Sequence, residues 1–292
     1  MKYLDPKNDL MFKKIFGQHP HLLKSFLNAM LPLPQGSYIE SLEYLPADMV
    51  PETPLMKYSI VDVRCRDNTG RQFIVEMQFC WTTGFMQTLS FNASKAYVKH
   101  LDNAYTYNAL QPVYALNLVN EVFEAEKPEF YHHYQIVNLA DTEKQLEGLE
   151  FVFVELPKFK PEIFSEKKLQ VLWLRFLTEI DEKSTDIPED LLANSEIKEA
   201  IENLRTSAFS EVEMDRYDKY WDSVRIERTL QSGYFNKGKT EGIAEGRTEG
   251  KSEEKIANAK NGIMAGLSNE IIKTITQLSD EKIDALRQEL AK

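Results

Sequence analysis

Apolar residues recur three and four positions apart over residues 6–30 and 83–102, and this spacing predicts an amphipathic helix in each segment. Asn8 or Asp5 is a candidate cap for the first helix. Pro20 is expected to divide that helix, because proline removes a backbone donor and clashes with the preceding turn. The N-terminal segment is therefore expected to form two short helices, each with one apolar face.

Strand-like segments follow a proline-rich stretch at 31–57, which is expected to be mostly loop with short extended pieces. Residues 59–66 and 71–79 alternate between apolar and polar positions on either side of the turn sequence DNTG, and this pattern predicts a β-hairpin. Three more runs have the length of strands: 113–119, 131–139 and 149–156. Helical spacing returns in three later segments: 166–181, 188–206 and 211–230. The order predicts an α/β fold with a mixed central sheet and flanking helices, followed by a helical C-terminal region.

The helix at 83–102 is long enough to cross over the sheet, so strand 113–119 is expected to join the hairpin in a parallel arrangement.

A four-residue repeat, GKTEGIAEGRTEGKSEE, occupies the segment that begins at Gly238. Each glycine costs about 1 kcal/mol relative to alanine inside a helix. The repeat is interpreted as a weakly helical, solvated linker, and the alternative is a helix–helix contact through its glycines.

Residues 256–290 regain helical spacing and predict two short helices, which are either a packing unit or a DNA-reading helix-turn-helix. The expected organisation has four parts: a core at 1–160, a helical extension at 161–235, a linker at 236–255 and a helical tail at 256–292.

Composition narrows the function classes. The 292 residues are 42% hydrophobic, so a sizeable core can form, and no apolar run is long enough to span a membrane. Cys65 and Cys80 are the only cysteines, which excludes a disulfide scaffold and favours a reducing, cytoplasmic location. The formal net charge is −11, and residues 236–292 are neutral, with ten basic and ten acidic side chains. Contact with nucleic acid would therefore need a local basic patch or a metal that bridges to phosphate.

The predicted hairpin has two chemically different faces. One face is apolar and is expected to pack into the core: Val61, Val63, Cys65, Phe73, Val75, Met77 and Phe79. The other face carries Asp62, Glu76 and Gln78. A three-residue loop at 68–70, with Gly70 in the left-handed conformation, would place Asp62 opposite Glu76. A four-residue loop would instead place Asp62 opposite Val75 and mismatch the faces, so the first register is preferred.

Two opposed carboxylates repel each other, and a divalent cation between them removes that repulsion. Mg²⁺ prefers carboxylate and water oxygens together with a substrate phosphate, and a metal held in this way can activate water for phosphodiester hydrolysis. Gln78 could orient that water but cannot act as a base. The alternative interpretation of this face is a polar strand surface that contacts solvent.

The order of these segments resembles the PD-(D/E)xK nuclease superfamily, with its restriction-endonuclease-like core. It is most similar to the recombination-promoting nuclease branch, which is also described as transposases. The resemblance rests on several segments in the same order: NDLMFKKIFG, VDVRCRDNTGRQFIVEMQ, FNASKAYVKHL, QPVYALNLVNEVF, EFVFVELPKF and the glycine-rich tail. It covers nearly the whole chain.

The resemblance implies that Asp62 and Glu76 are metal ligands, with the main-chain carbonyl of Met77 as a third. Gln78 stands where the superfamily usually has lysine, and this branch is similar in having glutamine there.

The helix after the hairpin often carries an arginine in this branch, about where Thr88 stands here, and Lys95 or Tyr97 could contact phosphate instead. Asp9 and Lys13 lie one helical turn apart and are interpreted as an ion pair, or else Asp9 leans towards the metal.

The resemblance therefore implies a metal-dependent DNA endonuclease that uses Mg²⁺ or Mn²⁺, acts in recombination or transposition, and has DNA as its partner with no membrane. Two other classes stay open: a non-catalytic DNA-binding protein that keeps the nuclease fold, and a protein that self-associates through its C-terminal helical region.

Overall fold

The computed structural model describes residues 2–49, 59–79, 81, 84–99, 106–107, 110–161 and 168–290. The strands in chain order are β1 (Leu42–Tyr44), β2 (Asp48–Met49), β3 (Ser59–Ile60), β4 (Val63–Asp67), β5 (Gln72–Gln78), β6 (Val113–Val119), β7 (Tyr131–Asn138) and β8 (Asp141–Glu155). The helices are α1 (Asp9–Gln18), α2 (Pro20–Met30), α3 (Phe85–Val98), α4 (Lys168–Glu179), α5 (Glu189–Leu192), α6 (Ser195–Glu202), α7 (Glu211–Met264), α8 (Asn269–Thr276) and α9 (Asp280–Leu290). Cys80, Pro51 and Pro54 lie outside the described residues.

A mixed sheet of six strands forms the centre of the fold, in the order β1-β4-β5-β6-β8-β7. β4 and β5 pair antiparallel, whereas β5–β6 and β6–β8 pair parallel. The helix α3 lies between β5 and β6 in the chain and makes the crossover that parallel neighbours need. The predicted mixed sheet with flanking helices is therefore confirmed, including the parallel position of β6.

The turn of the β4–β5 hairpin explains its register. Gly70 has a φ of +91°, which the three-residue loop at 68–70 requires and which side chains rarely adopt. Val63 pairs with Val75 and Arg66 with Gln72, so the predicted register is confirmed. The predicted strand at 59–66 is wrong in one respect, because it is divided at Val61. Residues 59–60 pair with 48–49 in a separate two-stranded sheet, and the Val61 N–H donates to the Ala47 carbonyl over 3.3 Å.

Both faces of the sheet are covered by helices. One face packs in the main core with α1, α2, α4 and α6, and it contributes Val63, Cys65, Phe73, Val75, Met77 and Phe79. The other face packs against α3 through Val61, Ile74, Ala93, Ala96, Val113 and Ala115. The expectation that Val61 shares the face of Val63 is therefore wrong, because the chain turns between these two residues. The face that carries Glu76 is likewise covered by a helix, whereas one interpretation placed it in solvent.

The N-terminal segment is clamped to residues near the end of the first compact unit. The Leu4 N–H donates to the Leu204 carbonyl over 2.9 Å. The Tyr217 hydroxyl accepts from the Asp5 N–H over 3.0 Å, and the Asn8 amide donates to the Tyr217 carbonyl over 3.3 Å. Asn8 also caps α1 as expected, because its side chain accepts from the Leu10 N–H. The clamp fixes the position of α1.

The chain forms two compact units, residues 1–225 and 226–292. Of the helical extension expected at 161–235, the part up to Arg225 lies in the first unit, and its Trp173, Ile201 and Tyr217 are buried in the same core as the sheet. Among the described residues, the helices are all too short or too polar to cross a membrane.

The C-terminal region differs from the sequence prediction in the length of its helices. The helix expected at 211–230 continues to Met264 and includes the whole glycine repeat, whose residues are exposed. The end of this helix packs with α8 and α9 around Ala259, Ile272 and Ile283. Residues 256–290 therefore form three helical pieces, where two were predicted. The glycines did not end the helix because each costs only about 1 kcal/mol.

Candidate metal centre

Asp62 lies at the point where the β4–β5 ladder ends. One carboxylate oxygen, Oδ2, accepts from the Met77 N–H of β5 over 2.7 Å. The carboxylate therefore satisfies a backbone donor that has lost its strand partner, because β4 begins only at Val63. The other oxygen, Oδ1, lies 3.3 Å from the Lys13 Nζ of α1. The side chain is 19% exposed, so it is more buried than the hairpin pattern suggested.

Glu76 projects from β5 towards α3, on the face opposite the main core. The Asn92 amide of α3 donates to Glu76 Oε1 over 3.1 Å, and Asn92 is only 4% exposed. The register of the hairpin, in which Val63 pairs with Val75, places Asp62 beside Glu76 at this end of the ladder. A carboxylate just before β4 and one on β5 are therefore close neighbours at the edge of β5.

The backbone of Met77 faces the same edge. In an extended strand, the N–H and C=O of one residue point to the same side. Since the Met77 N–H points to Asp62, its carbonyl points to the side where β4 has ended. The Gln78 carbonyl points the other way, because it accepts from the Asn120 N–H over 2.8 Å. The Gln78 side chain is two positions after Glu76 and shares its face.

The ammonium of Lys13 on α1 contacts two carboxylates at this centre, those of Asp9 and Asp62. Its Nζ lies 2.6 Å from Asp9 Oδ1 and 3.3 Å from Asp62 Oδ1. The sequence prediction of an Asp9–Lys13 ion pair is confirmed. Asp9 is 39% exposed and contacts this ammonium, which in turn contacts Asp62.

The two carboxylates hold their protons more tightly than usual. Burial raises the pKa of Asp62 to about 6, against the opposing effects of Lys13 and the Met77 N–H, and the charge of Asp9 raises it further. Burial also raises the pKa of Glu76 to about 7, where Asn92 opposes and the charge of Asp62 adds to the shift. The pKa of Lys13 is raised, because the attraction of Asp62 and Asp9 outweighs its burial. The centre is therefore short of positive charge.

These groups suit a hard divalent cation better than a soft one. Asp62, Glu76 and the Met77 carbonyl would offer oxygen atoms alone, which is the donor type that Mg²⁺ and Mn²⁺ prefer. The described residues hold no group of three or more His, Cys, Asp or Glu side chains that could enclose a metal. Two carboxylates and a carbonyl would leave positions open for water and substrate phosphate, as is common for Mg²⁺.

Tyr97 lies at the other end of the sheet from Glu76. Its hydroxyl is 3.2 Å from the place that a Cβ on Gly148 would occupy, so the ring packs directly on that glycine. Gly148 lies on β8, one residue before the position that aligns, across β6, with Gln72 of β5. Glu76 is four residues further along β5, which is about 13 Å at the rise of a strand. The structure does not bring Tyr97 together with the carboxylates.

Lys95 and Thr88 both lie on α3. The Lys95 Nζ is 5.7 Å from the centre of the Phe91 ring, a contact on the outer side of the helix. The Thr88 hydroxyl donates to the Gly84 carbonyl over 3.1 Å and is exposed. Neither side chain makes a described contact with Asp62 or Glu76.

Sequence reasoning missed Asn92 as a partner of Glu76, and it missed the contact between Lys13 and Asp62. Asn92 lies on the stripe that packs α3 on the sheet, between Leu89 and Ala93. A polar residue within an apolar helical stripe is a usable signal, because a buried amide needs a partner. No local pattern connects Lys13 to Asp62, since their contact depends on how α1 packs against β4.

The sequence model of the PD-(D/E)XK nuclease family transposase matches residues 6–226. No curated protein and no solved structure gives a significant match to the chain. The matched region includes all the residues that form the candidate metal centre, from Asp9 on α1 to Asn92 on α3.

Proposed function

Because the chain belongs to the PD-(D/E)XK nuclease family of transposases, we propose that it is a metal-dependent DNA endonuclease that acts in recombination or transposition. The observation that supports this proposal most strongly is the pair of carboxylates at one strand edge. Asp62 just before β4 and Glu76 on β5 lie beside each other, and their pKa values are raised to about 6 and about 7. Such a pair is unfavourable without a cation, so the fold maintains it at an energetic cost.

In this proposal Asp62, Glu76 and the Met77 carbonyl hold Mg²⁺ or Mn²⁺. A bound divalent ion would lower the pKa of a coordinated water and neutralise charge on the scissile phosphate. Asn92 fixes the orientation of Glu76 through its 3.1 Å hydrogen bond. Gln78 shares the face of Glu76 and orients the attacking water through its side-chain amide. The amide has no proton-accepting nitrogen at neutral pH, so Gln78 does not act as a base.

DNA is the proposed substrate although the chain is acidic. The formal net charge of −11 disfavours binding of nucleic acid through bulk charge. The metal therefore has a second role, since it converts a negative edge into a site that accepts phosphate. Lys95 and Tyr97 remain proposed phosphate contacts, at positions away from the carboxylates.

Cleavage of supercoiled plasmid by purified protein tests the proposal. Wild type should nick or linearise the plasmid with Mg²⁺ or Mn²⁺ and should be inactive in EDTA. Asp62→Asn and Glu76→Gln keep the side-chain shapes and should reduce cleavage to the EDTA level. Gln78→Ala should weaken cleavage less than either, because water can still bind without its orienting amide. Glu43→Gln is the matched control, since Glu43 is an exposed carboxylate on β1 that pairs with Arg66.

A non-catalytic DNA-binding function is the second candidate, and one observation favours it. Gln78 stands where the superfamily's usual motif ends in lysine, so the ammonium group of the usual site is absent from this strand. If wild type binds duplex DNA but leaves it intact with either metal, or cleaves equally well in EDTA, the metal-dependent endonuclease is overturned. The non-catalytic function would then lead.

A further inference from the structure

At position 78 the strand lacks the positive charge with which the superfamily's usual motif ends. Gln78 is neutral, and it follows Glu76 by two positions on the same face of β5. A cation near the two carboxylates must therefore come from another element. The described residues include one whose ammonium already contacts Asp62.

Lys13 reaches this position because α1 is held by its buried face and by the contacts of Lys14. Its buried face consists of Met11, Phe12, Ile15 and Phe16, which pack in the main core. The neighbouring Lys14 points elsewhere: its Nζ lies 3.0 Å from Glu213 Oε1 and 3.9 Å from the centre of the Phe209 ring. Two consecutive lysines thus have separate partners, and only Lys13 contacts the candidate metal centre.

We infer that Lys13 supplies from α1 the positive charge that the motif ordinarily supplies from the strand, and that Asp9 is the positioning residue that holds its ammonium in place. This inference rests on the proposed nuclease function. The Nζ is 3.3 Å from Asp62 Oδ1, so it lies where negative charge builds up when a phosphodiester is attacked beside Asp62. A fixed charge in a partly buried site stabilises that state more than one in water.

A second consequence concerns the metal itself. An ammonium 3.3 Å from a carboxylate oxygen competes with any cation that binds the same oxygen. Removing the ammonium should therefore leave metal affinity unchanged or increase it, while it slows cleavage. If the ion pair had a purely structural role, its removal would not slow cleavage while leaving metal affinity unchanged or increased.

The test compares wild type, Lys13→Met, Gln78→Lys and the double variant Lys13→Met/Gln78→Lys. Lys13→Met should lower kcat for duplex cleavage about 10²-fold with a small change in KM. The double variant should recover at least about tenfold over Lys13→Met, because the new lysine restores charge from the strand. Calorimetric titration with Mn²⁺ alone should give Lys13→Met an affinity equal to or above that of wild type. Its melting temperature should change by no more than about 3 °C, as expected for a half-exposed ion pair.

Lys14→Met is the matched control, since it removes the same charge from the next position of α1, and it should cleave like wild type. The inference is overturned if Lys13→Met cleaves as fast as wild type, if the double variant is no faster than Lys13→Met, or if Lys13→Met binds Mn²⁺ more weakly. These results leave the proposed function standing, provided that wild type cleaves with metal. Absence of metal-dependent cleavage by wild type overturns both.

Discussion

The Asn92 amide donates to Oε1 of Glu76 over 3.1 Å, and this contact joins α3 to the carboxylate pair. Asn92→Ala should raise the pKa of Glu76 further, because the hydrogen bond favours the charged form. We expect Mn²⁺ affinity to fall about 10- to 100-fold, as is typical when a partner of a ligand is lost. Calorimetric titration measures this. Thr88→Ala, an exposed change on the same helix, is the control, and equal affinities in both variants would contradict the prediction.

Folding stability without metal should depend on pH in a specific direction. Asp62 and Glu76 have pKa values of about 6 and about 7 in the folded chain, against ordinary values of 3.8 and 4.5. The folded state therefore binds the protons more tightly, so their stabilisation is present near pH 4 and is lost as pH rises through 6 and 7.

Urea unfolding in EDTA at pH 5.5 and pH 8 measures this effect. Glu76 should contribute about 2 kcal/mol to the difference and Asp62 about 1 kcal/mol, because part of the Asp62 stabilisation is already lost at pH 5.5. The variant Asp62→Asn/Glu76→Gln should show a flatter dependence, and Mg²⁺ should restore stability at pH 8 in wild type but not in the variant. A wild type that is more stable at pH 8 in EDTA than the variant would contradict the assignment.

Gly70→Ala should disturb the centre through the hairpin turn. Gly70 has a φ of +91°, and an added Cβ would lie 3.1 Å from Gln111 Cγ. We expect a loss of about 1–3 kcal/mol in stability, together with weaker Mn²⁺ binding, because the turn sets the register of Asp62 and Glu76. Gly36→Ala is the control: its φ is +78° with open space around it, so it should lose stability but keep its metal affinity.

The glycine repeat of α7 offers a test of its two interpretations. An added Cβ has open space at each of Gly238, Gly242, Gly246 and Gly250. Alanine at all four positions should strengthen the helix by about 1 kcal/mol per position and slow proteolysis at 236–255. If the glycines instead form a close contact with a second copy, the alanine variant should have a lower mass in light scattering.

The hairpin geometry was predictable because its determinants are local. Alternation fixed which side chains share a face, and Gly70 fixed the turn, so Asp62 and Glu76 could be paired from sequence. The contact of Lys13 with Asp62 was not predictable, because it depends on packing between elements that are distant in the chain. The division of the first strand at Val61 was missed for a similar reason. Its N–H is taken by Ala47, in a segment whose prolines gave no pairing signal.

The C-terminal helices show the opposite error. Their local signals were given too much weight, since four glycines suggested a weakly helical linker after the helix at 211–230, and one helix continues through all of them to Met264. Helix propensity is a weak guide when several good helix formers separate the glycines, and in this segment Glu, Lys, Arg and Ala do so.

The clamp on α1 has a consequence for how the protein is made. Lys13 and Asp9 are translated long before Tyr217, whose hydroxyl and carbonyl groups hold Asp5 and Asn8. A nascent chain that ends before Tyr217 contains the whole hairpin and lacks the clamp that fixes α1 beside it. The centre can therefore assemble only after nearly all of the first unit has been translated, and chains that end before Tyr217 lack a complete site.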